Sequence, residues 1–272
     1  MMRSFGWAVV ASVSLLTAQA HACSGSAQTH VDAIFPSGAQ VPENLLRFYL
    51  YFSAPMSTDD VLSSVSLITS DGALVEGAFL SNRFDLWSPD RTRLTVLFDP
   101  GRVKTGLDAH DALGRALEAG ERYELRIDSD LRDAQGCPLA ASFTHQFMAT
   151  PGDLEPPDPS LWTVDAPQSG SRAPVRVRLG NAHDHLSMAY RIRVRDEGGE
   201  TVPGRVELAN AETDWLFHPR QAWSGQTYTV TVGEELEDLA GNRPGQLFDQ
   251  PVTMDMPEPV LRLSFQPVST GQ

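Results

Sequence analysis

Two stretches of this chain repeat one another without a gap. Gly120-Glu121-Arg122-Tyr123-Glu124-Leu125-Arg126-Ile127, then Leu131, Asp133 and Gly136, runs parallel to Gly225-Gln226-Thr227-Tyr228-Thr229-Val230-Thr231-Val232, then Leu236, Asp238 and Gly241. The offset is constant at 105, as in 228 − 123 and 241 − 136. Self-similarity at a fixed spacing means one structural unit made twice. Upstream the match continues with a shift: Asp71-Gly72 to Gly77 resembles Glu197-Gly198 to Gly204, and 204 − 77 is 127. The first copy therefore carries about 22 more residues, the difference between the two offsets, expected within Gly101–Leu117.

The repeated unit is built from period-two segments. Arg47-Phe48-Tyr49-Leu50-Tyr51-Phe52, Arg93 to Phe98 and Pro174 to Leu179 alternate in character, and Tyr190 to Arg195 places its arginines on one face. Such alternation makes half-buried strands. Ser70-Asp71-Gly72, Glu197-Gly198-Gly199 and Trp223-Ser224-Gly225 separate them as turns. Short strands at this spacing in units of about 110–120 residues imply an all-β fold of two tandem β-sandwiches. Helix is expected only at Ser57–Ser64, with Ser57 as N-cap, and at Asp184–Ala189. Thr150 to Pro159 holds four prolines and reads as a stiff linker. The expected division is a signal peptide at 1–22, sandwiches at 28–149 and 160–256, a linker at 150–159 and a C-terminal tail at 257–272.

The first residues read as a targeting segment. Arg3 precedes the apolar run Phe5–Leu16, and small residues follow, fitting cleavage after Ala20 or after Ala22. The first frame leaves His21 at the new N-terminus, and the second leaves Cys23. A periplasmic or cell-surface location follows. A lipid anchor on Cys23 is the minor alternative, since Ala20-His21-Ala22 matches a lipoprotein signal poorly. Cys23 and Cys137 are the two cysteines, and an even pair in an oxidising compartment invites a disulfide. The formal net charge of −14 argues against nucleic acid as partner, because phosphate contacts need surplus Lys and Arg. After the first two dozen residues no apolar run approaches the length of a membrane span.

Phe35-Pro36-Ser37-Gly38, Phe52-Ser53-Ala54-Pro55-Met56, the Tyr123 strand and Leu131-x-Asp133-x-x-Gly136 occur in that order, followed by Phe143 and Phe147. This set resembles the bacterial Ig-like domain of surface-layer and other exported proteins. The second copy keeps Tyr228 through Asn242 but reads Leu179-Gly180-Asn181-Ala182-His183 in place of the F-S-x-P-M segment. The resemblance implies two Ig-like sandwiches and says little of activity. In such a sandwich the first and last strands lie side by side, which would bring Cys23 to Cys137. A fainter similarity joins the first copy to periplasmic copper carriers of the copper-resistance C type, whose D-G-H-P-V motif aligns with Gln135-Gly136-Cys137-Pro138-Leu139. It implies a copper alternative using His21 and Cys137.

Asp133 and Asp238 each stand three residues before a glycine, Gly136 and Gly241, and are expected to close turns by accepting backbone N–H groups. Calcium would need more carboxylates per loop. Tyr123 and Tyr228 are expected in the core as tyrosine corners. No nucleophile elbow, H-E-x-x-H, phosphate-binding loop or dinucleotide fingerprint is present. His183-Asp184-His185 would chelate a metal only if it lay in a strand and found a third ligand. Trp87, Trp162, Trp215 and Trp223 are candidates for a binding surface, the last two being better placed for the core. Arg91, Arg93 and Lys104 stand out in an acidic chain as contacts for an acidic partner or as a solvated face. The reading is a non-enzymatic exported module without a cofactor, binding an unidentified protein or glycan or acting as a spacer.

Overall fold

The computed structural model describes residues 23, 28–58, 61–81, 86–104, 114–249 and 261–269. The signal-peptide segment at 1–22, including His21, lies outside these residues. Among the described residues fifteen strands form four sheets, grouped by sequence into two sandwiches.

In the first sandwich β1 (Val31–Phe35), β3 (Arg47–Phe52), β6 (Arg93–Leu97) and β5 (Leu86–Trp87) make one sheet in the order β1-β3-β6-β5. The other follows the order β2-β8-β7-β4, from β2 (Gln40–Pro42), β8 (Phe143–Thr150), β7 (Arg122–Ile127) and β4 (Val65–Thr69). The second sandwich repeats this with β9 (Thr163–Asp165), β10 (Val175–Arg178), β13 (Asp214–Pro219) and β12 (Gly204–Ala209) facing β11 (Ile192–Arg195), β14 (Tyr228–Val232) and β15 (Leu261–Phe265). With β2, a short strand parallel to β8, set apart and the rest lettered in chain order, each sandwich has strands A, B, E and D in one sheet and C, F and G in the other, the immunoglobulin constant-type arrangement. Alternation drives it. Phe48, Leu50 and Phe52 of β3 are buried against Leu67, Leu125 and Phe147 of the opposite sheet. Val175, Val177, Trp215, Val194 and Val230 do the same in the second core.

Strand registers test the repeat pair by pair. Val65 faces Ile127 and Leu67 faces Leu125; Ile192 faces Val232 and Val194 faces Val230. The same offsets, 127 and 105, therefore relate both strands of each pair. Isolated bridges agree: Met56–Asp133 corresponds to His183–Asp238, and Ile68–Leu74 to Arg195–Thr201.

The extra residues of the first copy are not one loop. Leu94 faces Leu50 as Trp215 faces Val177, which gives β6 and β13 an offset of 215 − 94 = 121. Six of the 22 residues thus precede β5, and sixteen lie between β6 and β7. The latter stretch contains a short helix, Pro100–Val103, capped by Asp99. Arg102 of this helix is buried, donating to Gly114 O, Glu76 O and Arg115 O.

The expected tail is a second departure. β15 lies within 257–272 and pairs along its length with β14, so it closes the second sandwich. Phe265 takes the place of Phe147, at an offset of 118 rather than 105, so thirteen further residues intervene before the last strand. Leu261-Arg262-Leu263-Ser264-Phe265 alternates as plainly as any strand here; distance from the repeated turn hid it. Of the helix expected at Ser57–Ser64, a 3-10 turn at Val61–Ser64 forms, running directly into β4. The second helix spans His185–Arg191 and takes Tyr190 and Arg191 from the expected strand, leaving β11 at Ile192–Arg195.

Candidate functional site

Alternation gives β3 a second face. While Phe48, Leu50 and Phe52 enter the core, Arg47, Tyr49 and Tyr51 project from the opposite side of the sheet. In a lone sandwich that side meets water. Here it meets the second sandwich.

Asp184 is the hub of this seam. Its Oδ1 accepts from Ser187 N at 2.8 Å, capping the helix His185–Arg191. Its Oδ2 accepts from Tyr49 Oη at 2.8 Å and lies 3.4 Å from Arg47 Nε. Arg47 also pairs with Glu237, which accepts from Arg243 Nη2 at 2.8 Å. Burial raises the Asp184 carboxyl above its usual range, and the Arg47 guanidinium pulls it back. Burial, then Asp184, pushes the Tyr49 hydroxyl far above the ordinary phenol, so it serves as a donor. The four charges of this network balance, as buried ions must.

Around the hub the contacts are dense. His185 stacks on Phe35, with ring centroids 3.6 Å apart, and its Nε2 lies 3.0 Å from Tyr51 Oη. Burial lowers the pKa of His185 to about 4. Glu212 accepts from Ser37 N at 2.8 Å and Ser37 Oγ at 2.6 Å. Leu46 N donates to Leu239 O, and the Leu239 side chain is buried in the core cluster of the first sandwich. Asp153 of the Pro-rich stretch is held from both sides: its carbonyl accepts from Asn44 Nδ2 at 2.9 Å and Asn242 Nδ2 at 3.1 Å.

The two Asp-x-x-Gly turns lie at equivalent places. Asp133 Oδ1 accepts from Gln135 N and Cys137 N, each at 2.9 Å. Asp238 Oδ1 accepts from Ala240 N at 2.8 Å and Asn242 N at 2.9 Å. Gly136 and Gly241 have φ of 81° and 80°, a conformation that costs little only for glycine. Tyr123 Oη accepts from Glu118 N at 2.9 Å and Tyr228 Oη from Ser224 N at 3.1 Å, the tyrosine-corner bond in both copies.

Cys23 is disulfide-bonded to Cys137. The copper alternative gains no support: with its sulfur in the bridge Cys137 offers no thiolate, and His21 lies outside the described residues. The Cys23 sulfur lies in the bridge, so the lipid-anchor alternative gains no support. His183 and His185 do not converge. They flank the helix cap; His183 Nδ1 bonds Asn181 O at 2.8 Å while the ring packs edge-on to Trp162. Among the described residues no three His, Cys, Asp or Glu side chains are grouped as a metal would need.

Trp162, Trp215 and Trp223 are buried and Trp87 is half-buried, so these four form no exposed platform. Lys104 Nζ lies 4.0 Å from the centre of the Phe248 ring, and Arg93 pairs with Tyr51 across β6 and β3. Neither is an open contact for an acidic partner. The seam itself escaped the sequence reading. Its one signal was β3, where both alternating sets are bulky, so neither face suits water.

No family model matches the chain, and no curated protein does. Solved structures similar to it include the surface-layer protein SbsC, domains 1–6, at 14% identity and a TM-score of 0.32, covering 76% of this chain and 24% of that one. Another is the Escherichia coli alpha-2-macroglobulin fragment spanning domains MG0-NIE-MG1, at 14% identity and a TM-score of 0.29, covering 92% of this chain and 74% of that one. A third is the Ig1-2 module of the Drosophila receptor protein tyrosine phosphatase DLAR, at 13% identity and a TM-score of 0.26, covering 76% and 91%. The chain thus spans about a quarter of the surface-layer protein. The strand order carries the fold assignment on its own.

Proposed function

We propose that this chain is an exported, non-enzymatic module in which two Ig-like sandwiches are locked into one rigid body, presenting a binding surface or holding other parts of the cell envelope at a fixed distance. The sealed seam carries the reading. An enzyme built between two domains keeps its polar groups facing an open cleft. In this seam Asp184, Arg47, Glu237, Tyr49 and His185 are instead turned on each other. Leu239 crosses into the neighbouring core, a contact suited to fixed docking and not to opening and closing. The Cys23–Cys137 disulfide supports an oxidising compartment.

Cell fractionation with thiol-trapping mass spectrometry tests the compartment, and small-angle scattering of the purified protein tests rigidity. The expected result is oxidised protein outside the cytoplasm whose scattering fits a single conformation. A freely hinging ensemble, or turnover of any substrate abolished by changing one seam residue, would overturn the reading.

A further inference from the structure

The outer face of the β11-β14-β15 sheet carries charge that the first sandwich lacks at the same place. Arg193 lies opposite Thr231, which lies opposite Arg262; Arg195 lies opposite Thr229, which lies opposite Ser264. Arg193 and Arg195 are therefore about 7 Å apart along the strand, and Arg262 about 10 Å away across the sheet. These side chains floor a groove of about 660 Å³, with Arg191 on its rim.

The guanidinium groups are held but not neutralised. Arg193 Nη1 donates to Ala189 O at 3.0 Å and Ile192 O at 2.8 Å, and Arg195 Nη1 to Gly199 O at 2.8 Å. Arg191 pairs with Glu235. Two carboxylates stand at the rim, Asp196, whose Oδ1 accepts from Glu200 N, and Glu197, and neither is paired with these arginines. Among the described residues Arg193, Arg195 and Arg262 pair with no carboxylate.

The fold does not require arginine there. At the equivalent positions β4 carries Ser66 and Ile68, and β7 carries Glu124 and Arg126, already paired at 3.5 Å. Arg122 of β7 is the one exposed arginine on that face of the first copy without a carboxylate partner among the described residues, so the cluster of three belongs to the second copy, within a chain of net charge −14. Its field acts over about a Debye length, roughly 8–10 Å at physiological salt, so the patch attracts anions locally despite the total.

We propose that this face binds an acidic polysaccharide, with carboxylate or sulfate groups on Arg193, Arg195 and Arg262 and sugar hydroxyls on Thr229 and Thr231. Guanidinium forks match planar and tetrahedral oxyanions well. Among the described residues Val232 is the one large apolar residue lining the groove, and no aromatic side chain lines it. A protein partner would want apolar or aromatic anchors, and a nucleic acid would want stacking platforms. The inference rests on the reading of the chain as a binding module and names the class of ligand.

The test is isothermal titration of the full mature chain with polygalacturonate, dextran sulfate, neutral dextran and a poly-glutamate peptide, at low and high salt. Binding is expected to one or both acidic polysaccharides, weakening with salt, and not to dextran. Which polymer binds separates carboxylate from sulfate recognition. R193Q/R195Q/R262Q should weaken binding by about tenfold or more, with R122Q/R126Q on the first sandwich neutral. If the triple variant fails to fold, exposed R262Q alone should cost about two- to threefold. No binding to either acidic polysaccharide, an unaffected triple variant, or equal affinity for poly-glutamate overturns the proposal. Any of these leaves the compartment and the rigid seam, which have their own measurements, where they stand.

Discussion

The Asp-x-x-Gly turn occurs twice, and its two copies hold different things together. The hydrogen-bonded frame is the same: one carboxylate oxygen takes the N–H groups two and four residues on, and the glycine is left-handed. In the first copy the other oxygen, Oδ2 of Asp133, accepts from Thr29 Oγ1 at 2.9 Å, and Cys137, the residue after Gly136, bonds to Cys23. That turn ties the sandwich to its own N-terminal segment. In the second copy Oδ2 of Asp238 accepts from Asn242 Nδ2 at 2.9 Å. Freed from an N-terminal partner, the turn faces outward, and Leu239 stands where Ala134 would. Ala134 N bonds Pro55 O within its own sandwich, whereas Leu239 O bonds Leu46 N of the other. A conserved backbone frame fixes the shape of the turn; two or three side chains on it decide what it grips.

The largest difference between the turns should come from the disulfide. It closes a loop spanning 114 residues, and its loss should lower the stability of the first sandwich by about 4–5 kcal/mol in the chain-entropy model. Denaturant unfolding with and without reductant reads this. Two equally shifted transitions would mean that the bridge does not act on one copy.

Next is the glycine. A methyl group on Gly136 meets nothing within 4 Å, so Gly136→Ala should cost only the backbone term, about 1–2 kcal/mol. On Gly241 it would lie 2.3 Å from Leu46 Cδ1 and 3.2 Å from Phe248 Cδ2. Gly241→Ala should therefore cost about 3 kcal/mol or more, backbone and overpacking together. Equal melting-temperature losses for the two variants would show that the seam is loose at this point.

His183 offers a test by pH. It stands where the first copy has the fully buried Met56, and its Nε2 has no partner. Burial lowers its pKa to about 4, below the roughly 6.5 of an unfolded chain. The neutral ring's contribution is present above about pH 6.5 and lost as pH falls through about 4. Burial acts oppositely on Asp238, pushing its carboxyl up to about 7, so its contribution is present below about pH 4 and lost as pH rises through 7. His183→Met leaves Asp238 in place and removes the first effect. The variant should gain about 2 kcal/mol on wild type between pH 7 and pH 5. A constant difference between the two stability curves would rule out a buried neutral histidine.

The smallest effect is expected where the copies agree. Tyr123→Phe and Tyr228→Phe each lose the backbone corner bond, the second also a contact with Ser224 Oγ, and each should cost about 1 kcal/mol by thermal unfolding. A cost confined to one of them would show that the shared corner supports only one copy.

Much of this architecture was legible because it depends on local chemistry. Alternation in Arg47–Phe52 and Arg93–Leu97 marks strands whatever surrounds them, and the pattern at Asp184–Ala189 marks a short helix, though its cap at Asp184 emerged only in the structure. Three things were not. The excess of the first copy divides at β5, a two-residue strand too short to carry a period. β15 is separated from its repeat by an insertion that a gapless comparison passes over. The seam depends on where Arg47, Tyr49 and Tyr51 point once two sheets are stacked, which is a tertiary fact. A polar side chain on a strand reads as solvent-facing until another domain supplies the partner, as Asp184 does for Tyr49.

The placement of β15 has a consequence for the order in which the molecule assembles. A chain is synthesised from its N-terminus, and domains tend to fold as they appear. All strands of the first sandwich, through Thr150, exist before any of the second. The residues that grip it, from Ala182 to Asn242, come next, and the strand that completes the second sheet comes after them. A domain folds as a unit, so the second sandwich waits for β15 while the surface it will dock against is already complete. The last strand to arrive therefore sets the moment at which both the second body and the joint can form.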